Sequence, residues 1–204
     1  MKRRLLVGLG LAAALAWPMA AQARVVDLRL GANAGGMFGW GTTTGTPDMF
    51  RQAAGPGFGV EAGLKLLIFD FSVDVLQIVR SGGLGATLIQ GMLGVEVDIP
   101  AGHTKLENGQ SVQVVHTGGA AGFVLGTNTP AMLPVTNDQL ADKGFSSRVR
   151  VGYEYFLNPF MGVGAQADFG YHYLLGGAAV NMTQDHSSGF QVIGLGAFTF
   201  HLGL

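Results

Sequence analysis

The chain has 204 residues, of which 48% are hydrophobic and 12% charged; 34 are glycine and none is cysteine. Without cysteine there is no disulfide framework, and a formal net charge of -1 without a basic stripe offers nothing to nucleic acid. The charged share is about half the ~25% usual in soluble domains, a shortage that favours elements with a dry outer face.

Residues 1–23 have the layout of a secretory signal peptide. Lys2, Arg3 and Arg4 precede an apolar run from Leu5 to Trp17, followed by Pro18 and the small-residue site Ala21-Gln22-Ala23. The run is too short to span a bilayer as a helix. One domain, residues 24–204, is expected to remain after cleavage. Its nine basic and thirteen acidic residues leave a net charge of -4.

From there period-2 alternation dominates, and sustained helical spacing is scarce. Eight strands are expected, over about 25–38, 57–67, 69–80, 86–99, 111–125, 145–157, 160–174 and 189–204. Charges decide the faces. Asp27 and Arg29 share one parity in the first strand, and Glu61 and Lys65 do so in the second. Asp70, Asp74 and Arg80 follow in the third, Glu96 and Asp98 in the fourth, Arg148, Arg150 and Glu154 in the sixth, and Asp168 in the seventh. None breaks parity with its strand, whereas Val, Leu, Ile and aromatic residues fill the opposite face.

A secreted β-sandwich also alternates, so the aromatic residues separate the two readings. With strands running up and down, Phe38, Trp40, Phe58, Phe145, Tyr171, Tyr173 and Phe190 fall near one rim. Phe69, Phe71, Tyr155, Phe160, Phe198 and Phe200 fall near the other. Two aromatic girdles around an aliphatic band are what a bilayer favours. Tight lower turns are expected at Leu67-Ile68 and Asn158-Pro159, and long upper loops over 39–56, 126–144 and 175–188. A short upper connection at Ser81–Gly85 and a long lower one from Pro100 to Gln110 break the rule and leave room for ten strands.

The last strand carries Val192, Gly194, Gly196, Phe198, Phe200, Leu202 and Leu204 on one face. Signal peptide, alternating strands and this terminal apolar strand together resemble the small outer-membrane barrels of Gram-negative bacteria, of the eight-stranded OmpA/OmpX and OmpW-like kind. The chain departs from that family at its end, where Leu204 stands in place of the usual terminal aromatic residue. The resemblance implies an all-β, eight-stranded antiparallel up-and-down transmembrane barrel in the outer membrane. It further implies contact with outer-membrane lipid and lipopolysaccharide, insertion by the barrel-assembly machinery, and no cofactor.

In such a barrel Asp27, Arg29, Glu61, Lys65, Asp70, Asp74, Glu96, Asp98, Arg148, Arg150, Glu154 and Asp168 would form a charge network inside the lumen. Eight strands leave an interior just wide enough for side chains, so opposite charges must pair or cost several kcal/mol each. The upper lumen reads as more apolar, through Leu76, Ile78, Leu88, Phe123 and Ile193, either as packed filler or as a lining that could bind or pass a small hydrophobic ligand. The alternatives are a structural or surface-interaction barrel acting through its outer loops, and a lipid A-modifying enzyme using Asp185-His186-Ser187-Ser188. Neighbours on one loop rarely converge as base, nucleophile and orienting acid, so the reading is non-enzymatic. No metal set is expected, because His103 and His116 are far apart in register.

Overall fold

A computed structural model describes residues 25–44, 54–79, 85–127, 142–176 and 186–203; the expected signal peptide lies outside them. Eight antiparallel strands close into one barrel in chain order. They are β1 (Val26–Thr44), β2 (Gly55–Leu66), β3 (Phe69–Val79), β4 (Gly85–Pro100), β5 (Gln113–Thr127), β6 (Asp142–Asn158), β7 (Met161–Gly176) and β8 (His186–Gly203). Pairing of β1 with β8 removes both sheet edges, so every strand has two hydrogen-bonded neighbours.

Successive partners starting at Asp27 are Lys65, Asp70, Gly94, Ala120, Arg148, Gly170 and Gln191, after which the circuit returns to β1 at Gly39. The stagger is therefore twelve residues, which tilts the strands steeply, by about 45°. Close coiling of this kind needs small lumen residues. A Cβ on Gly122 would lie 1.9 Å from the Gly91 carbonyl oxygen, so only glycine fits there.

Both expected tight turns are present at the lower end. Leu67 and Ile68 join β2 to β3, with Leu67 in the left-handed region at φ 58°. At the β6–β7 turn the Phe160 amide donates to the Asn158 side-chain oxygen at 2.8 Å. The long connection after Pro100 makes no further barrel strand. It folds back on itself through a Lys105–Ser111 bridge, and the Val112 amide donates to the Thr104 carbonyl at 3.0 Å. At the upper end β1 continues to Thr44, six residues past its expected stop. Gly39 to Thr44 keep pairing with Gln191 to His186 of β8, so the first upper loop is shorter than the sequence implied.

The two faces invert the pattern of a soluble protein. Leu30, Val60, Val73, Leu93, Val149, Val151 and Val192 point outward and are exposed. Aromatic rings band this aliphatic belt. Above it Trp40 lies 5.9 Å from Phe38, 6.1 Å from Phe169 and 6.0 Å from Phe190. Below it Phe69, Phe71, Tyr153, Tyr155, Phe160, Phe198 and Phe200 are exposed. Charged and polar side chains are buried inside instead, among them Asp27, Arg29, Lys65, Asp70, Glu96, Arg148, Arg150 and Asp168.

Candidate functional site

Inward parity on every strand gathers the ionisable residues into two layers. In the lower layer the Arg29 guanidinium bridges β3 and β4, donating to Asp70 and, at 2.6 Å, to Glu96. Lys65 joins Glu96, at 3.3 Å, to Asp98. Across the floor runs a longer chain. His116 meets Asp98 at 2.8 Å through Nδ1 and Glu154 at 3.0 Å through Nε2. His201 meets the other Glu154 oxygen at 3.0 Å through Nε2 and Asp27 at 2.7 Å through Nδ1. Carboxylate and imidazole thus alternate from Asp98 through His116, Glu154 and His201 to Asp27. Each ring faces carboxylate oxygen on both nitrogens, and a ring that carries two protons donates to both. Phe156 packs on the His201 ring at 5.0 Å and is itself buried, so the floor is dry from below on that side.

The upper charged layer centres on two arginines of β6. Arg150 grips Asp168 through Nε and Nη2 at 2.8 and 2.9 Å, and its Nη1 reaches both oxygens of Glu61, the nearer at 2.9 Å. Arg148 donates to Asp74 at 2.7 Å and to the Ser72 hydroxyl at 2.8 Å. The fork-like grip of Arg150 on Asp168 fixes both geometry and charge. Between the layers lies a cavity of about 50 Å³ bordered by Arg29, Glu61, Arg150, Glu154, Gln166 and His201. A smaller one of about 20 Å³ sits beside Asp74, Gln90, Arg148 and Asp168. Two donors at the first cavity, Arg29 Nε and Gln166 Nε2, are buried without a protein acceptor. Such groups need water, and one water occupies roughly 10–15 Å³ measured this way, so the larger cavity has room for a few.

Above the charges the lumen turns apolar. Met37, Leu76, Ile78, Leu88, Val124, Leu174, Ile193 and Leu195 form one buried cluster inside the barrel. A polar seam accompanies it, where Gln90 donates to Ser146 at 3.2 Å and Gln191 is buried with both amide atoms unpartnered.

The structure brings together all twelve residues of the expected charge network. Of the five upper-lumen residues, Leu76, Ile78, Leu88 and Ile193 are inside and packed on one another. Phe123 is not: it is 65% exposed and pairs on the outer surface with Phe145 at 5.0 Å. Ala121, of the same parity on β5, also faces outward. The physical reason is that β5 carries no carboxylate or guanidinium to mark its inner face, and Gly118 to Gly122 are too small to mark it by size. The available signal was His116, which shares parity with Val124, and Val124 is fully buried inside. Sequence reasoning also missed His116 as a lumen group. Glu96, Asp98 and His116 bring donor atoms within 4.8 Å of one another. The Lys65 ammonium already sits on both carboxylates, so the position is filled by the chain's own cation and we assign no metal to it. Of the loop motif considered for lipid A chemistry, Asp185 lies outside the described residues, and His186 and Ser188 open β8.

Neither protein-family models nor curated proteins match this chain. Solved structures do. The chain is similar to the outer membrane protein OprG from Pseudomonas aeruginosa, with a TM-score of 0.51 at 6% identity, covering 89% of this chain and 98% of that one. Neisserial surface protein A (NspA) aligns with a TM-score of 0.43 at 15% identity over 85% of this chain and 95% of that one. The N-terminal β-barrel domain of Pseudomonas aeruginosa OprF aligns at 0.39 and 10% identity over 84% and 97%. The OprG match establishes a shared closed-barrel fold.

Proposed function

We propose that this chain is a non-enzymatic, integral outer-membrane β-barrel, exported by its signal peptide, whose closed lumen serves as a rigid membrane anchor for the connections at its upper end. One observation carries the reading: exposed Leu, Val, Ile and aromatic side chains encircle the outside, while arginine, lysine and carboxylates are buried within. In water an apolar surface of that extent drives aggregation. In hydrocarbon it is the favourable face, and aromatic rings above and below it suit the two headgroup levels. Outer-membrane lipid and lipopolysaccharide are then the surrounding partners, and the barrel-assembly machinery inserts the chain.

The filled lumen supports an anchoring role over transport. Ion pairs occupy the lower two layers, and Leu76, Ile78, Leu88 and Ile193 pack together above them. Passage or binding of a small hydrophobic molecule requires those four side chains to part. The surface role falls to the segments around 45–53, 128–141 and 177–185, which lie outside the described residues.

Outer-membrane fractionation with heat-modifiable gel migration tests the architecture: a boiled sample should migrate differently from an unboiled one, and a detergent-independent soluble protein would refute the reading. Purified barrel in planar bilayers should carry no stepwise ionic current. Deleting residues 128–141 should abolish surface binding without unfolding the barrel, whereas a detergent or lipid tail retained inside the lumen would favour the ligand reading instead.

A further inference from the structure

We infer that the carboxylate–imidazole chain across the lower lumen is a proton-locked latch, which ties five strands together while it holds two extra protons and loosens when a rise in pH removes them. The proton count follows from distances alone. Asp98, His116, Glu154, His201 and Asp27 are linked in that order by four contacts of 2.8, 3.0, 3.0 and 2.7 Å. Each contact sets a ring nitrogen against a carboxylate oxygen, and at such a separation one of the two atoms must carry a proton. Four contacts therefore need four protons, whichever atom holds each. Three carboxylates and two neutral imidazoles bring only two, so the closed chain holds two more. Three carboxylates against two imidazolium rings leave a charge of -1 on these groups. Without the extra protons the charge is -3, and at two of the contacts lone pair faces lone pair.

The surroundings do not replace those protons. From β4, His116 faces Asp98 and, at 3.8 Å, Glu96; from β6 it faces Glu154. His201 faces Asp27 of β1 and Glu154 of β6, and its strand partner on β1 is Arg29. The two nearest permanent cations are committed: Arg29 to Asp70 and Glu96, and Lys65 to Glu96 and Asp98. Across the cavity Arg150 is held by Glu61 and Asp168. β7 contributes no charge at this level, only Gly162, whose missing side chain lets the Glu154 carboxylate pass toward His201 on β8.

The latch thus joins the lower ends of β1, β4, β5, β6 and β8 through side chains. Its way out to solvent is Asp98, whose side chain is 31% exposed. Linkage sets the sign. Above the ordinary histidine value of about 6.5 the unfolded chain holds neither proton. Stability falls with pH wherever the folded state binds more protons than the unfolded one. The contribution of the latch is therefore complete below that value and is lost as the pH rises.

Urea denaturation of the full barrel in detergent, followed by heat-modifiable migration, tests the proton count against the double variant His116→Gln/His201→Gln. From about pH 7 to about pH 9 the ratio of the wild-type folding constant to that of the variant should fall by up to about a hundredfold per unit, the signature of two protons. Asp27→Asn separates protons from hydrogen bonds, because its amide donates to Nδ1 of His201 and keeps that contact with one proton fewer. Its folding constant should lose about tenfold less per unit than the wild type does, a comparison that stands even if the double variant fails to fold. Loosening is read separately. The sequence has no cysteine, so Thr199→Cys, beside the cavity that His116, Glu154 and His201 border, is a single thiol probe. Its labelling by a small charged thiol reagent, relative to the same chain unfolded in urea at the same pH, should rise by about tenfold or more over that range. Folding constants of wild type and Asp27→Asn that change in parallel with pH, or a thiol as protected at the upper pH as at the lower, overturn the inference.

Discussion

A methyl group on Gly162 would lie 2.1 Å from Oε1 of Glu154, so β7 leaves a gap into which the β6 carboxylate fits. Both oxygens of that carboxylate are already held by imidazoles, and it has little freedom to retreat. Gly162→Ala should therefore expel the carboxylate and break both contacts. Hydrogen bonds to charged groups are worth about 1.5–3 kcal/mol each, so a loss of roughly 3–6 kcal/mol is expected for the two. The urea midpoint of the heat-modifiable folded band measures it. In Glu154→Gln, which weakens the same contacts, adding Gly162→Ala should cost clearly less; equal costs in both backgrounds would show that the two residues do not compete.

The architecture was readable because a barrel with a charged lumen writes itself into parity. Twelve ionisable residues on six of the eight strands mark the inside directly, and the opposite parity of Val149, Val151 and Tyr153 marks the outside. Two parts were not readable. On β5 the run Gly118 to Gly122 has no amphipathic contrast, so Phe123 was expected inside and is outside. The carboxylate–imidazole chain through Glu154 was hidden for a different reason: Asp27, Asp98, His116, Glu154 and His201 come from five strands, and only the twelve-residue stagger brings them to one height. Parity tells which face a residue takes. It does not tell which residues share a level.

Arg150 should be the most sensitive single position of the upper charged layer. Its guanidinium serves Asp168 and Glu61 together, and all three groups are withdrawn from water. Arg150→Ala leaves two carboxylates facing each other without their shared cation, and breaking such a buried arrangement costs about 3–5 kcal/mol. Arg150→Ala combined with Asp168→Asn should recover part of the loss, because one uncompensated charge is then gone. Chemical denaturation of the three proteins side by side provides the check.

Gln191 is a position where the barrel gains by losing a polar group. The side chain is almost fully buried, and neither its amide nitrogen nor its oxygen has a partner. An unsatisfied buried amide costs about 1–3 kcal/mol. Gln191→Met keeps the length of the side chain, removes the penalty and adds apolar surface next to the cluster around Ile193. The variant should unfold at a higher urea concentration than the wild type. A lower midpoint would mean that the amide is satisfied by bound water whose loss is costly.

The orientation of β5 yields the sharpest comparison, between two neighbours in sequence. Phe123 lies on the outer surface within the upper aromatic band, while Val124 is fully enclosed by the apolar cluster of the lumen. Near the interface a charged substitution on the lipid face costs about 0–1 kcal/mol beyond the loss of the ring. An unpaired carboxylate within the packed cluster costs several kcal/mol. Phe123→Asp should therefore fold and insert, with a modest fall in its denaturation midpoint, whereas Val124→Asp should fold poorly or not at all. If the lumen face of β5 were the odd-numbered one, the order would reverse, because the carboxylate at 123 would then be the enclosed one. Refolding yield in detergent, read from the heat-modifiable band, separates the two arrangements in one experiment.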